Sequence, residues 1–363
     1  MRSNGVWCAR GVCRSSERVV FGWERESTER RSQGAGVQGK KAQAAGAQTK
    51  EAEAKKADGK EAAAKRVGIR YRGLTLIELL VCVAVVGVLA ALLMPAVQSV
   101  REATRRLQCQ QNLRQLALAL QQYHEFCRSF PYGVNAGWGH SWSAHLLPFV
   151  EQSALADTIP WSEAGWWRGP DRKSQALQRL VRAQISLFRC PSQGSPLTSD
   201  INQMDERYVT NYLGCAGGDA RHDNLGAHGM GDSNGLLRAA QFNHFPQPPS
   251  RLQDVVDGTS HTLLLGESTF IVNAEEHCWT CDRFYLYHPN ADSGDGSDFS
   301  EALGSTYYPG NHHGGNEQQR EVAFASYHPQ GSCGASADGS THFFSDGCEL
   351  TVWRSLGSVR QRD

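Results

Sequence analysis

The run "LTLIELLVCVAVVGVLAALLMPAV" (74–97) constrains this chain more than any other stretch. It holds one charged residue, Glu78. At 1.5 Å rise per residue, roughly 20 helical residues cross a hydrocarbon core of about 30 Å, so a helix here is long enough to span a bilayer. A cleaved secretory signal has a shorter apolar core and then a small-residue cleavage site. Here Met94-Pro95 and a polar helical pattern follow instead. Lys65, Arg66, Arg70 and Arg72 precede the run. By the positive-inside rule the N-terminal side stays cytoplasmic. The expectation is a single-pass protein of the inner (cytoplasmic) membrane, with the bulk of the chain in the periplasm or at the cell surface. A carboxylate inside lipid is costly unless paired, so Glu78 is either a boundary residue at headgroup level or a functional group.

The residues around it decide between these. "GLTLIE" (73–78) followed by an apolar helix resembles the type IV prepilin N-terminus. The resemblance implies that a prepilin peptidase cuts after Gly73 and methylates the new N-terminus, Leu74, a position where the family usually has Phe or Met. Glu78 is then the fifth mature residue. Its carboxylate is expected to pair with the α-amino group of a neighbouring pilin-like subunit. Such a pair neutralises two buried charges and sets the axial register of a filament.

Charge separates the chain at the same place. Of 37 basic and 37 acidic residues, 17 and 8 lie in residues 1–73, which leaves 20 and 29 after Gly73, a net of about −9. That part has no electrostatic footprint for nucleic acid. Within the leader, "KAQAAGAQTKEAEAKKADGKEAAAKR" is low-complexity and nearly free of large apolar residues, so it cannot bury a core. Residues 67–73 alone would make a short basic leader. Residues 1–73 are therefore expected to be removed, or to lie largely upstream of a translation start at Val67. The remaining organisation reads as a transmembrane helix (74–97), its continuation packed on a head (98–130), and an exported globular head (131–363).

Past the span, Val100, Ala103, Leu107, Leu113, Leu116, Ala117, Leu120 and Tyr123 recur at helical spacing, opposite Arg101, Arg105, Gln111, Arg114 and Gln122. One long helix over 74–127 follows, kinked at Pro95. From Pro131 onward the chain is rich in glycine and aromatics. Candidate strands are 185–189, 208–213, 235–237, 261–266, 321–327 and 340–344, and candidate helices 142–152 and 174–183, with long loops at 214–234 and 287–320. The expected class is α+β, a mainly antiparallel sheet laid on the N-terminal helix in a pilin-like layout.

Several stretches of the head resemble the planctomycete family of pilin-like exported proteins known as domain of unknown function, number 1559. They are "CQQNLRQLALALQQYHEFCRSFPYG" (109–133), "SWSAHLLPFVEQSAL" (141–155), "FRCPSQ" (188–193), "TNYLGCAG" (210–217) and "RLQDVVDGTSHTLLLGES" (251–268). A C-terminal mark, a histidine and an Asp-Gly with nine residues between, is met by His328 and Asp338-Gly339. The resemblance implies a pilin-like, type II secretion-like envelope protein and no reaction. Locally, "EVAFASYH" and "GSTHFFS" read as the two arms of a hairpin turned at Asp-Gly. His328 and Asp338 would then face each other, as half of a catalytic or metal site or, the preferred reading, as a structural clasp.

Eight of the eleven cysteines fall in the exported part, where disulfides are permitted. Their spacing alone leaves 105 connectivities. Cys278-Trp-Thr-Cys281 fits a short-loop disulfide, half a zinc site or a redox pair. Structural disulfides are preferred, and a Cys109–Cys190 bridge would tie the helix to the head. "NADSGDGSD" (290–298) offers Asn290, Asp292, Asp295 and Asp298 as oxygen ligands for calcium, without matching the EF-hand pattern. No other cofactor is expected. Adjacent His312 and His313 offer a second, weaker metal pattern, and Trp138, Trp142, Trp161, Trp166 and Trp167 crowd one region, as core or as a stacking surface.

The reading is a non-enzymatic pilin- or pseudopilin-like subunit with prepilin peptidase, other pilin-like subunits and the inner membrane as partners. The alternative is a tethered binding module for extracellular glycan or peptide that does not polymerise. An enzyme centred on His328 stands third.

Overall fold

The structure, a computed structural model, describes residues 7–9, 12–14, 75–136, 140–159, 161, 175–194, 198–199, 206–223, 226–232, 234–241, 247–269, 283, 286, 299–312 and 315–360. Residues 92–363, with 1–16, form one compact unit and 17–91 another. Near the start, Trp7–Ala9 (β1) and Val12–Arg14 (β2) pair antiparallel.

Helix α1 runs over Leu76–Cys127, 52 residues with Pro95 inside it. Its start is written in Thr75-Leu76-Ile77-Glu78. The Glu78 carboxylate accepts from the Thr75 backbone N–H at 2.9 Å and from its hydroxyl at 2.9 Å. In return the Thr75 hydroxyl accepts from the Glu78 N–H at 3.3 Å. This reciprocal capping box satisfies donors that the first helical turn leaves unpaired. The first half of α1 is apolar enough to cross a membrane, and none of its apolar window is buried.

Packing on the head starts later than the apolar spacing predicts. Val100 and Leu107 are 65% and 60% exposed, whereas Cys109, Leu113, Leu116, Ala117, Leu120 and Tyr123 are buried. Arg101, Arg105, Gln111, Arg114 and Gln122 are exposed, as their place on the opposite face requires.

Behind α1, the first short strand, Val134–Ala136 (β3), leads into α2 (Trp142–Leu146), a 3-10 turn at Leu147–Phe149, and α3 (Ser153–Ala156). Helix α4 spans Gln175–Val181. Two strand pairs are peripheral: Thr198–Ser199 (β4) with Arg207–Tyr208 (β5), antiparallel, and β3 with Ala239–Gln241 (β7), parallel. The main sheet uses Tyr212–Gly217 (β6), Leu263–Glu267 (β8), Leu303–Ser305 (β9), Gly331–Ser336 (β10) and Thr341–Ser345 (β11). Its order is β11-β10-β8-β6-β9, antiparallel throughout except for the parallel β6–β9 edge. Helix α5 is Glu317–Val322, and α6, Leu350–Gly357, follows the last strand.

Both faces of the sheet are covered. Tyr212 and Ala216 of β6 join the core that holds α1, while Leu213 and Cys215 point the other way, into a second cluster with Phe324 and Trp353 of α6. Phe324 and Phe344 meet the Trp353 ring edge-on, with centroids 6.3 and 5.2 Å away. Two covered faces explain why every residue of β6, β8 and β10 is buried.

Several sequence expectations shift. Residues 185–189 form a 3-10 turn at Ser186–Phe188 rather than a strand. Residues 235–237 are buried bends, with the strand two residues later. Residues 321–327 end α5 and continue as loop with a single bridge, Ser305 to Ala323. The region 287–320, expected to be one long loop, contains β9 and most of α5.

A buried His–Glu–disulfide cluster as the candidate functional site

His328 lies in the turn before β10, not on a strand facing Asp338. Its backbone N–H bonds the Ser326 hydroxyl at 3.1 Å, and its side chain is wholly buried. Nδ1 is 2.5 Å from Glu102 Oε1 on α1 and 3.2 Å from the Ser192 hydroxyl. Nε2 is 3.4 Å from Glu267 Oε1, at the end of β8, and 3.4 Å from Cys190 Sγ. Cys190 is disulfide-bonded to Cys109, one helical face along from Glu102, with Cα atoms 5.4 Å apart. The expected bridge between helix and head is therefore present, and the histidine sits against it.

The expected His328–Asp338 clasp is not what forms. Asp338 Oδ1 accepts from the Ser340 N–H at 2.9 Å and its hydroxyl at 2.6 Å, a local turn bond. Gly339 adopts φ +83°, which a side chain would strain. The tip of this β10–β11 hairpin docks on α1, where Gln121 Nε2 donates to the Ala337 carbonyl at 2.7 Å. Outgoing strand β10 starts at Gly331, beyond His328, so the two motif residues serve different structures.

The other quoted stretches converge on the histidine. Asn211 holds the Cys190 turn: its Oδ1 accepts from the Cys190 N–H at 3.1 Å, and its Nδ2 donates to the Ser268 carbonyl at 3.0 Å and to Gln193 Oε1. Asn112 of α1 donates to the Arg189 carbonyl at 3.0 Å and to the Tyr212 hydroxyl at 3.3 Å. Glu267 Oε2 accepts from the Cys333 N–H at 2.7 Å. Glu102, Ser192 and Glu267 were not singled out from the sequence. Ser192 and Glu267 do fall inside the stretches "FRCPSQ" and "TLLLGES", a signal available without the structure.

The electrostatics follow the geometry. Burial works against a charged imidazole, but the hydrogen bonds and charges of Glu267 and Glu102 outweigh it and hold His328 above its ordinary pKa. Burial likewise opposes ionised Glu102, yet bonds to His328 and Ser192 and the imidazolium charge bring its pKa below the usual value. Nearby Cys333 keeps its proton: burial first, then the Glu267 charge, push its thiol pKa up. The arrangement is an imidazolium clamped between two carboxylates beside a disulfide, joining α1, the 186–193 turn, β8 and the turn before β10.

Among the cysteines, Cys127 is also disulfide-bonded. Cys82, Cys215, Cys333 and Cys348 are free thiols, so the eight exported cysteines do not all pair. Gly73, Leu74, Cys278, Cys281, Asn290, Asp292, Asp295 and Asp298 lie outside the described residues, as do His313, Trp138, Trp166 and Trp167. Trp142 is core, its indole N–H bonding the Ala302 carbonyl at 3.0 Å, and Trp161 stacks on His140 at 4.8 Å. His312 stacks on Tyr308. Away from the cluster, an open cleft of about 310 Å³ is lined by Asp219, Arg221, Ala227, His228, Asp232 and Tyr307.

Two family models match. One, the prokaryotic N-terminal methylation motif, covers residues 69–94 and points to a type IV pilin-like protein processed by prepilin peptidase. The apolar start of α1 and this motif suggest a membrane-anchored protein. No curated protein and no solved structure matches the chain. The other model, described as protein of unknown function (DUF1559), matches residues 98–351, which hold α1 from the end of its apolar half, the whole sheet and the histidine cluster, and the chain belongs to that family.

Proposed function

We propose that this protein is a pilin- or pseudopilin-like, single-pass subunit of the inner membrane that serves a structural or assembly role in a type IV pilus or a type II secretion-like system, without catalysing a reaction. Prepilin peptidase cleaves after Gly73 and methylates Leu74, and the head lies in the periplasm or at the cell surface. The observation that carries this reading is the methylation motif over 69–94 placed at the start of a helix whose second half is built into the head core. In one chain the Glu78 carboxylate is used by its own helix cap. On assembly it exchanges the Thr75 contacts for the α-amino group of a neighbour, and that exchange sets the subunit register. Glu78→Ala tests this. Membrane insertion and processing should persist, while cross-linked oligomers and filaments in the native envelope should be lost. Oligomers unchanged in Glu78→Ala contradict the register role.

A second reading, a tethered module that binds glycan or peptide and does not polymerise, draws on the cleft at Arg221 and Tyr307. Arg221 and Arg354 both lie over the Tyr307 ring, at 5.0 and 3.9 Å. Saturable binding of an oligosaccharide by a monomeric protein, abolished by Arg221→Ala, would favour it.

A further inference from the structure

The Cys109–Cys190 disulfide sits inside a donor set larger than itself. One ligand atom from each of Cys109, Cys190, Glu267 and His328 lies within 4.8 Å of the others, and all four residues are buried. Tetrahedral zinc, with bonds of about 2.0 Å to nitrogen or oxygen and 2.3 Å to sulfur, needs donors roughly 3.3–3.8 Å apart, so the set forms once the S–S bond opens and the two sulfurs separate, with the widest pairs closing by about 1 Å. Glu267 Oε1 is buried and, among the described residues, its one polar neighbour outside the thiols is the long ion-pair contact to His328, although the other oxygen of the same carboxylate is satisfied by a backbone N–H. It faces His328 Nε2 at 3.4 Å. The opposite ring nitrogen is held by Glu102 at 2.5 Å. A carboxylate on the far nitrogen is the usual companion of a metal-bound histidine, because it fixes the tautomer and aims the free nitrogen.

We propose that reduction of the Cys109–Cys190 disulfide turns this cluster into a zinc site, with Cys109 and Cys190 binding as thiolates, His328 through Nε2, Glu267 through Oε1, and Glu102 as the positioning residue. A dithiol reductant supplies two electrons and two protons and leaves as its own disulfide. Zn²⁺ then displaces both thiol protons and the imidazolium proton at Nε2 into solvent. The same two cysteines thus fasten α1 to the head in either state, by a covalent bond when oxidised and through the metal when reduced. This inference does not depend on whether the protein polymerises.

The test uses the full protein in detergent micelles, oxidised or reduced with a phosphine that is then removed, and titrated with ZnCl₂ against a chromophoric chelator. The oxidised form should take up no zinc at this site. The reduced form should bind one ion per chain beyond the uptake of reduced Cys109→Ser/Cys190→Ser, which measures the background from the remaining thiols. Binding should release protons, and cobalt(II) in place of zinc should give a tetrahedral thiolate spectrum. His328→Asn, Glu267→Gln and Glu102→Gln, each checked for native near-ultraviolet circular dichroism in its disulfide form, should weaken this uptake at least tenfold. Equal uptake by the reduced wild type and the double serine variant overturns the proposal, as does unchanged affinity in His328→Asn. If reduction alone loosens the head, zinc should restore its circular dichroism, and a failure to do so also overturns it.

Discussion

Replacing both bridging cysteines, as Cys109→Ala/Cys190→Ala, should cost the head roughly 4.5 kcal/mol. The bridge closes a sequence separation of 81 residues. In the chain-entropy treatment a loop of that length removes about 15 cal/mol/K from the unfolded ensemble, which gives the figure at 25 °C. The loss is large against a typical domain stability of about 5–15 kcal/mol. It should nevertheless leave a folded head, because Leu113, Leu116 and Leu120 remain fully buried against the sheet. At about 2–4 °C per kcal/mol for a domain of this size, the melting midpoint should fall by roughly 9–18 °C. The assay is urea and thermal unfolding in detergent, followed by tryptophan fluorescence from buried Trp142 and Trp353 under non-reducing conditions. A loss below about 1 kcal/mol would refute the reasoning. It would mean that the unfolded chain gains little freedom from opening this loop, and that the junction of α1 with the head rests on its apolar packing and polar contacts without help from the bridge.

Three further outcomes follow from the geometry. Glu102→Gln removes a charged partner from His328 and should cost about 1–2 kcal/mol, read as faster amide hydrogen exchange over residues 98–112. Gly339→Ala forces a side chain into φ +83° and should lower the stability read from urea unfolding by about 1 kcal/mol. His145 Nδ1 is buried without a hydrogen-bond partner among the described residues, and burial, reinforced by His140, depresses its pKa to about 3. A folded value below the unfolded 6.5 means that its contribution is intact above pH 6.5 and lost as pH falls toward 3, by roughly 1 kcal/mol per pH unit. His145→Phe should flatten that acid limb in pH-dependent melting curves.

The long helix was legible because its first half is apolar all round and its second half keeps a 3.6-residue apolar period, but its Thr75-x-x-Glu78 cap was not read, since the carboxylate invites a purely intermolecular reading. Apolar packing starts at Cys109 rather than Val100, with Glu102 already reaching His328 and Ser192, since an apolar period does not say where a partner surface begins. The sheet was only half legible. Strands β6, β8 and β11 carry large apolar or aromatic residues, but β10 is "GSCGAS". A side chain at Gly334 would strike Leu263 and Phe344 within 2.8 Å, so close packing selects small residues and erases the strand signal. The Cys109–Cys190 bridge could be named, while the cluster around it could not. Glu102, Glu267 and His328 are brought together from positions 165 and 61 residues apart by the sheet order, and no spacing rule encodes that. The Asp-Gly turn was right, and pairing it with His328 was wrong because the strand starts three residues past the histidine.

The most direct test of the pilin-like reading is the N-terminal mass of the protein isolated from its own envelope. N-methylated Leu74, with residues 1–73 absent, is the expected result. An unmodified N-terminus upstream of Gly73 on the membrane-embedded protein would contradict prepilin processing and leave a plain signal anchor carrying this head.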